Sequence, residues 1–240
     1  MTLLLLTAML AAEPAASATL VGHDVVVSPN AKIVYARAKA GGVEAIDAAT
    51  GKELWTNKDA QHIAGASDKM AIGWTTDAKK PREFRVLLID TATGKTVAKS
   101  DAIELPDWAT TAKVYGRSFR IGAQPDGDKV LLVWQANAFY AGGAAPPPEV
   151  EAAARKEATG VVTIDPASGK LAKLDRKPKN EEFGKFSNKA GDYEFRVSEM
   201  LPGFRPGAAG MTKVTLTVLK GKTELWTREL AGNPWSPPPP

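Results

Sequence analysis

The feature that most constrains this chain is a stretch that recurs. Gly41-Gly42-Val43-Glu44-Ala45-Ile46-Asp47-Ala48-Ala49-Thr50-Gly51-Lys52-Glu53-Leu54-Trp55 runs from an apolar strand into Asp, two small residues and Thr-Gly-Lys, then into a second strand. That is a β-hairpin: the Asp carboxylate folds back onto turn amides, the glycine takes the positive φ that closes the turn, and Leu54 and Trp55 resume alternating burial. The unit returns at 86–95 (Val-Leu-Leu-Ile-Asp-Thr-Ala-Thr-Gly-Lys) and at 161–170 (Val-Val-Thr-Ile-Asp-Pro-Ala-Ser-Gly-Lys). A worn copy over 214–226 has a shortened turn and again ends Glu-Leu-Trp. Asp47 and Asp90 are 43 residues apart, the period of a four-stranded propeller blade; Asp90 and Asp165 are 75 apart, so that copy carries an insertion. Asp47, Gly51, Asp90, Gly94, Asp165 and Gly169 are therefore read as structural turn residues.

The spacing predicts an all-β chain of about four four-stranded blades, each burying a face against the next. Strands are expected at 24–28, 32–38, 63–66, 70–74, 118–123, 130–134 and 193–197, with a polar hairpin over 78–83 and a hairpin loop over 203–210. The second-to-third-strand loop of the third blade holds an insertion, 141–159. In it Pro146-Pro147-Pro148 precedes Glu149 to Glu157, a short Pro-initiated helix with acids first and bases last. This helix would overhang the mouth of the array, where ligands and partners bind.

The repeated Ile-Asp-x-x-Thr-Gly-Lys with a following Glu-Leu-Trp resembles the repeat of the PQQ-like (quinoprotein-type) β-propellers, over about residues 23 to 230. That repeat occurs in quinoprotein dehydrogenases and in non-catalytic scaffold propellers such as the outer-membrane assembly lipoprotein of the β-barrel machinery. Propellers of this type usually close with seven or eight blades, so four imply a small closed ring, an open arc, or half of a ring completed by dimerisation.

The dehydrogenase branch would imply pyrroloquinoline quinone (PQQ) held with calcium, a carboxylate base, a stacking Trp and a pair of adjacent cysteines. This chain has no cysteine, which removes that pair along with any disulfide, thiol nucleophile or lipid-modified Cys anchor. Only His23 and His62 could serve imidazole chemistry, and His62 is read as a satisfied or exposed residue at the start of a strand. Asp47, Asp90 and Asp165 occupy the same turn of different blades and lie too far apart to share a metal. Trp74 and Trp134 fall on second strands, where aromatics pack blade against blade; Trp55 and Trp226 plug seams between blades. No catalytic, cofactor-binding or metal-binding residue is assigned.

Trp108 and Trp235 lie in connections beside proline, and with Tyr140, Arg155 and Lys156 of the insertion region they are the candidate partner contacts. Leu3 to Ala12 is too short an apolar run to span a bilayer, and Ala16-Ser17-Ala18 follows it, so 1–18 reads as a signal peptide. The repeat domain is then 19–232 and the Pro-rich tail 233–240. The formal charge of +4 lacks the dense basic face that nucleic acid requires. The expectation is an exported, periplasmic or extracellular bacterial protein with no membrane span, no lipid anchor and no cofactor. It binds an envelope protein or a second copy of itself as a scaffold module, without catalysis; the alternatives are a quinone-dependent oxidoreductase and a ligand-sensing propeller.

Overall fold

A computed structural model describes residues 18–22, 24–77, 79–111, 115–140, 148, 149, 151, 155–200 and 213–231. The proposed signal peptide (but for Ala18), His23, Trp235, the Pro-rich tail and most of the insertion lie outside these residues, as does the side chain of Tyr140.

Each repeat folds as an antiparallel meander, because alternating Val, Ile and Leu positions are joined by turns of Asp, Asn and Gly. The first blade consists of β2 (Val25–Val27), β3 (Ile33–Arg37), β4 (Val43–Asp47) and β5 (Glu53–Asn57), with β1 (Thr19–Gly22) added inside β2. The second is β6 (His62–Ala66), β7 (Met70–Asp77), β8 (Lys80–Asp90) and β9 (Thr96–Lys99), with β10 (Ile103–Glu104) also on the edge of β8 and the short helix α1 (Trp108–Thr111) following. The third is β11 (Tyr115–Asp126), β12 (Lys129–Tyr140), β13 (Lys156–Ile164) and β14 (Leu171–Lys173). A 3-10 turn (Asn180–Phe183) leads to β15 (Lys185–Phe186), which pairs in parallel with β1. The fourth blade is β16 (Lys189–Ala190), β17 (Tyr193–Met200), β18 (Lys213–Lys220) and β19 (Thr223–Leu230).

The chain is thus an all-β array of four propeller-type blades. Its faces stack in the order fourth, first, second, third. Val27, Val34 and Ile46 meet Phe195, Leu216 and Val218 in the core shared by the fourth and first blades. Tyr35, Val43 and Ala45 meet Ile63, Leu87 and Ile89 between first and second. Ile72, Val86 and Leu88 meet Leu132, Trp134 and Ile164 between second and third. The far face of the third blade (Leu131, Val133, Val161) is covered instead by Phe183 of the 3-10 turn and by Leu174. Among the described residues no core joins the third blade to the fourth, so the described array is an arc.

The predicted turns hold. Asp47 Oδ1 accepts from Thr50 N at 2.8 Å, Thr50 Oγ1 at 2.7 Å and Ala49 N at 3.1 Å. Asp90 accepts from Thr93 N and Oγ1 at 2.8 and 2.7 Å, and Asp165 from Ala167 N at 2.9 Å and Ser168 Oγ. Those hydroxyl bonds hold all three carboxyls below the usual range. The glycines of these turns have φ near +70°. Trp55 crosses from the first blade to cover the second blade's turn, its Nε1–H donating to Thr91 O at 2.8 Å. Trp226 does the same from the fourth blade to the first, donating to Ala48 O at 2.9 Å. These are the seam plugs expected of both tryptophans.

Three local expectations change. Lys80 to Glu83 belong to β8, paired to β7 from Lys80↔Asp77, so the hairpin is tighter than the polar 78–83 loop suggested. Lys156 to Thr159, placed in the insertion, extend β13 and pair with Ala138 to Gln135, because a long antiparallel partner in β12 satisfies their backbone groups. Asp24, taken as the first residue of a strand, sits in a turn at φ 55°.

Candidate functional site on the loop face

Strand register separates the two ends of every blade. At one end lie the Asp turns and the tight hairpins around 28–32, 127–128, 191–192 and 221–222; this is the turn face. At the other end lie 38–42, Asp77 and Lys80 of the β7–β8 hairpin, the ends of β12 and β17 at Tyr140 and Met200, and the starts of β13 and β18 at Lys156 and Lys213, together with connections that carry the chain from blade to blade; this is the loop face. Among the described residues, the lengthened β7–β8 hairpin, the lengthened ends of β12 and β13, and α1 lie at the loop face.

One set of polar and aromatic groups on that face comes from the first residue of β6 and the turn before β2. His62 opens β6, and Asp24 stands in the turn before β2. Asp24 Oδ2 is 2.8 Å from His62 Nδ1, with both side chains about 15% exposed. With its carboxylate accepting from Nδ1–H, Asp24 leaves Nε2 as the ring nitrogen for an incoming donor or proton. The imidazole stacks on Trp74 with centroids 4.1 Å apart and planes 15° from parallel. Trp74 in turn meets Phe119 at 5.5 Å and Phe84 at 6.1 Å. Its buried Nε1 finds no acceptor among the described residues. Asp24 is held in the left-handed region, which is costly for a residue with a Cβ, and the imidazole bond is one of the contacts fixing it there. Gln61, one residue before His62, clasps the opposite strand: its Oε1 accepts from Thr76 N and Oγ1, each at 3.0 Å.

This arrangement can accept a proton or a hydrogen bond at one position beside an aromatic wall. Sequence reasoning placed His62 as satisfied and missed its partner. The two residues are 38 positions apart with no periodic relation, and only the neighbouring of two inner strands joins them.

Trp108 opens α1 and is half-buried against the core of the second and third blades, with α1 packing on β8 and β12. Arg155 is exposed and pairs with Glu151 one helical turn earlier; Pro148, Glu149 and Glu151 are helical. Lys156 is exposed at the start of β13, opposite Ala138, and Tyr140 ends β12 opposite Tyr115. Trp108, Tyr140, Arg155 and Lys156 therefore share the loop end of the second and third blades, while Trp235 is not placed.

The chain has no cysteine, and no group of three His, Asp or Glu among the described residues could hold a metal ion. No described helix is long and apolar enough to cross a membrane.

The chain is similar to a quinohemoprotein alcohol dehydrogenase of Pseudomonas putida HK5, with a TM-score of 0.33 and 15% identity over 83% of this chain and 33% of that one. It is also similar to the quinohemoprotein alcohol dehydrogenase of Comamonas testosteroni, with a TM-score of 0.31 and 14% identity over 90% of this chain and 44% of that one. The chain spans less than half the length of either. No protein-family model and no curated protein sequence matches it.

Proposed function

We propose that this chain is an exported scaffold or protein-binding module of the cell envelope, that its loop face is the docking surface, and that it works without catalysis. The observation that carries this reading is the asymmetry of the two faces. The turn face is built from repeated, internally satisfied Asp turns, whereas the loop face holds the lengthened β7–β8 hairpin, the strand ends that flank the 141–155 insertion, and the exposed cations Arg155 and Lys156. Surface that departs from a repeat is where recognition is added to a scaffold.

The test compares two photo-crosslinking positions, one replacing Lys156 on the loop face and one replacing Ala167 on the turn face. A saturable crosslink to one envelope protein from position 156 alone supports the reading. Equal labelling from both positions, or none from either, refutes it. Failure to retain PQQ with calcium is expected in the same preparation, and stoichiometric retention would favour the oxidoreductase.

A ligand-sensing propeller is the second reading, favoured by the Asp24–His62 pair against Trp74. Its test is removal of 142–154, which must change ligand response if that segment is a lid.

A further inference from the structure

The β7–β8 hairpin rises past the first blade, and the step between them is a groove of about 410 Å³. Its wall is the first-blade-facing side of the hairpin, where Thr75, Asp77, Glu83, Arg85 and Leu87 project. Asp59, from the connection leaving the first blade, borders it, and Thr96 and Lys99 of β9 close its base. The size is that of an ordinary small-ligand site.

The charges are sorted along the groove. Register places Lys99 opposite Leu87 and Thr75 opposite Arg85, so Lys99 and Arg85 stand together at the base. Arg85 is oriented there by donating from Nη1 to Ser100 O at 3.2 Å. Asp59 belongs to the same end, accepting from Thr96 Oγ1 at 3.4 Å, so the base carries two cations against one acid. Of the groove's lining residues, those near the hairpin tip are Asp77 and Glu83 against Lys80, which is spent on Glu83 at 3.0 Å; Lys79 and Arg82 of the same hairpin do not line it, and Arg82 pairs with Glu104 and Asp107. The groove therefore has a net positive base and a net negative tip. Along β8, Arg85 stands two residues from Glu83, about 7 Å at ~3.3 Å per residue, and Lys99, opposite Leu87, stands four residues away, about 13 Å.

Chemistry narrows the occupant. No aromatic side chain lines the groove to stack on a sugar ring. Acids and bases are balanced, which does not suit a polyphosphate. A single amino acid holds its two charges within about one residue's length, too short for this separation. An extended peptide of about three residues carries an ammonium and a carboxylate roughly 10 Å apart. We propose that this groove binds the free zwitterionic form of a short extended peptide, with its carboxylate at Arg85 and Lys99 and its ammonium at Asp77 and Glu83.

The experiment is a two-dimensional NMR titration of the ¹⁵N-labelled protein with tri-alanine, raised to about 10 mM so that even millimolar binding is seen. Saturable shifts are expected at the amides of Thr75, Thr76, Arg85 and Thr96. N-acetyl-tri-alanine and tri-alanine amide should each bind roughly tenfold more weakly, since each loses one charge-assisted contact. Arg85→Gln should narrow the gap between tri-alanine and its amide, and the exposed Asp77→Asn should narrow the gap between tri-alanine and the acetylated peptide. The wild-type spectrum pattern, retained in both variants, reports that they fold. No saturable shift, shifts confined to other surfaces, or equal binding of the doubly blocked peptide would overturn the assignment. The outcome is independent of the loop-face partner, because crosslinking from position 156 does not pass through this groove.

Discussion

The seam between the first and second blades rests on Trp55 lying over Gly94, and this contact predicts a specific pattern of non-additivity. A Cβ built on Gly94 would stand 2.6 Å from Cγ and Cδ2 of Trp55, closer than carbon atoms tolerate, and Gly94 has φ 70°. Gly94→Ala therefore bears two costs. One is the left-handed conformation, about 1–2 kcal/mol for any residue with a Cβ. The other is eviction of the indole. Complete removal of a fully buried Trp costs about 3–5 kcal/mol; Trp55 is half-buried, so roughly half of that applies, to which its Nε1–H bond to Thr91 O adds about 1 kcal/mol. Gly94→Ala should thus cost about 3.5–5.5 kcal/mol, and Trp55→Ala about 2.5–3.5. Once Trp55 is Ala, adding Gly94→Ala should cost only the conformational 1–2 kcal/mol, leaving a coupling of about 3 kcal/mol. The fourth blade provides the control, because Gly221 has φ 63° and nothing within 4 Å of a built Cβ. Gly221→Ala should cost about 1–2 kcal/mol alone. The assay is urea unfolding of the four-member cycle and the control, with unchanged m-values as the condition for comparison. Additive costs at Gly94 and Trp55, or a Gly221→Ala penalty equal to that of Gly94→Ala, would refute the plug as the source of seam stability.

Three further outcomes follow from the same geometry. Glu44 is buried in the first blade and pairs with Arg228 of β19, while burial raises its carboxyl above the ordinary value of about 4.3; Arg228→Gln should cost about 3 kcal/mol at pH 7. A raised carboxyl destabilises only as pH climbs through its folded value and not below its unfolded one, so that deficit should shrink as pH is lowered towards about 4.5, and a pH-independent deficit would refute the pairing. A Cβ on Gly65 would collide with the carbonyl of Ala123 where β6 meets β11, so Gly65→Ala should cost about 3 kcal/mol or abolish folding by calorimetry, well beyond Gly221→Ala. Light scattering on residues 19–240 should give a monomer mass, because the outward face of the fourth blade is polar (Thr215, Thr217, Thr227, and Arg196 paired with Glu194) and that of the third is covered by Phe183; a dimer stable to dilution would refute this and restore the half-ring.

The repeat was legible because its information is local. Asp47, Thr50 and Gly51 specify a turn among themselves, and the copies at Asp90 and Asp165 multiply the signal. Trp55 and Trp226 were legible at one remove, since an aromatic at a fixed offset from each turn implies a neighbour to cover. What stayed hidden depends on pairs distant in sequence. β15 is two residues long and gains its identity only from Thr19 and Leu20, which precede it by more than 160 positions. Asp24 and His62 carry no pattern that sets them apart from solvated polar residues. The hairpin length at 77–80 was misjudged because Lys-Pro-Arg-Glu reads as loop by composition, while the pairing of Phe84 with Thr76 carries the strand onward. The groove has no sequence signature either: it exists because one hairpin outgrows its neighbour.

The plugs also give the arc a direction. Trp226 locks the fourth blade to the first and Trp55 locks the first to the second, each four or five residues after its own turn glycine. At the matching position the second blade has Ala98, and contact with the third passes instead through the backbone of Lys99, against which Gly169 is packed. The third blade has Lys173 there, exposed, and the fourth blade's Gly221 turn has nothing upon it. Seam locking thus weakens along the order fourth, first, second, third, and the unlocked seam is the one that the described cores leave open. The fourth–first seam also holds Arg228 against Glu44 and Glu53, so it joins a tryptophan plug to an ion pair on the buried Glu44 although its strands are the most distant in sequence. In an array whose stability is a sum of neighbour interfaces, such grading makes opening begin at the weak end. Amide exchange should then be slowest for Leu216 and Ile46 on either side of the fourth–first seam, and the third blade should exchange first.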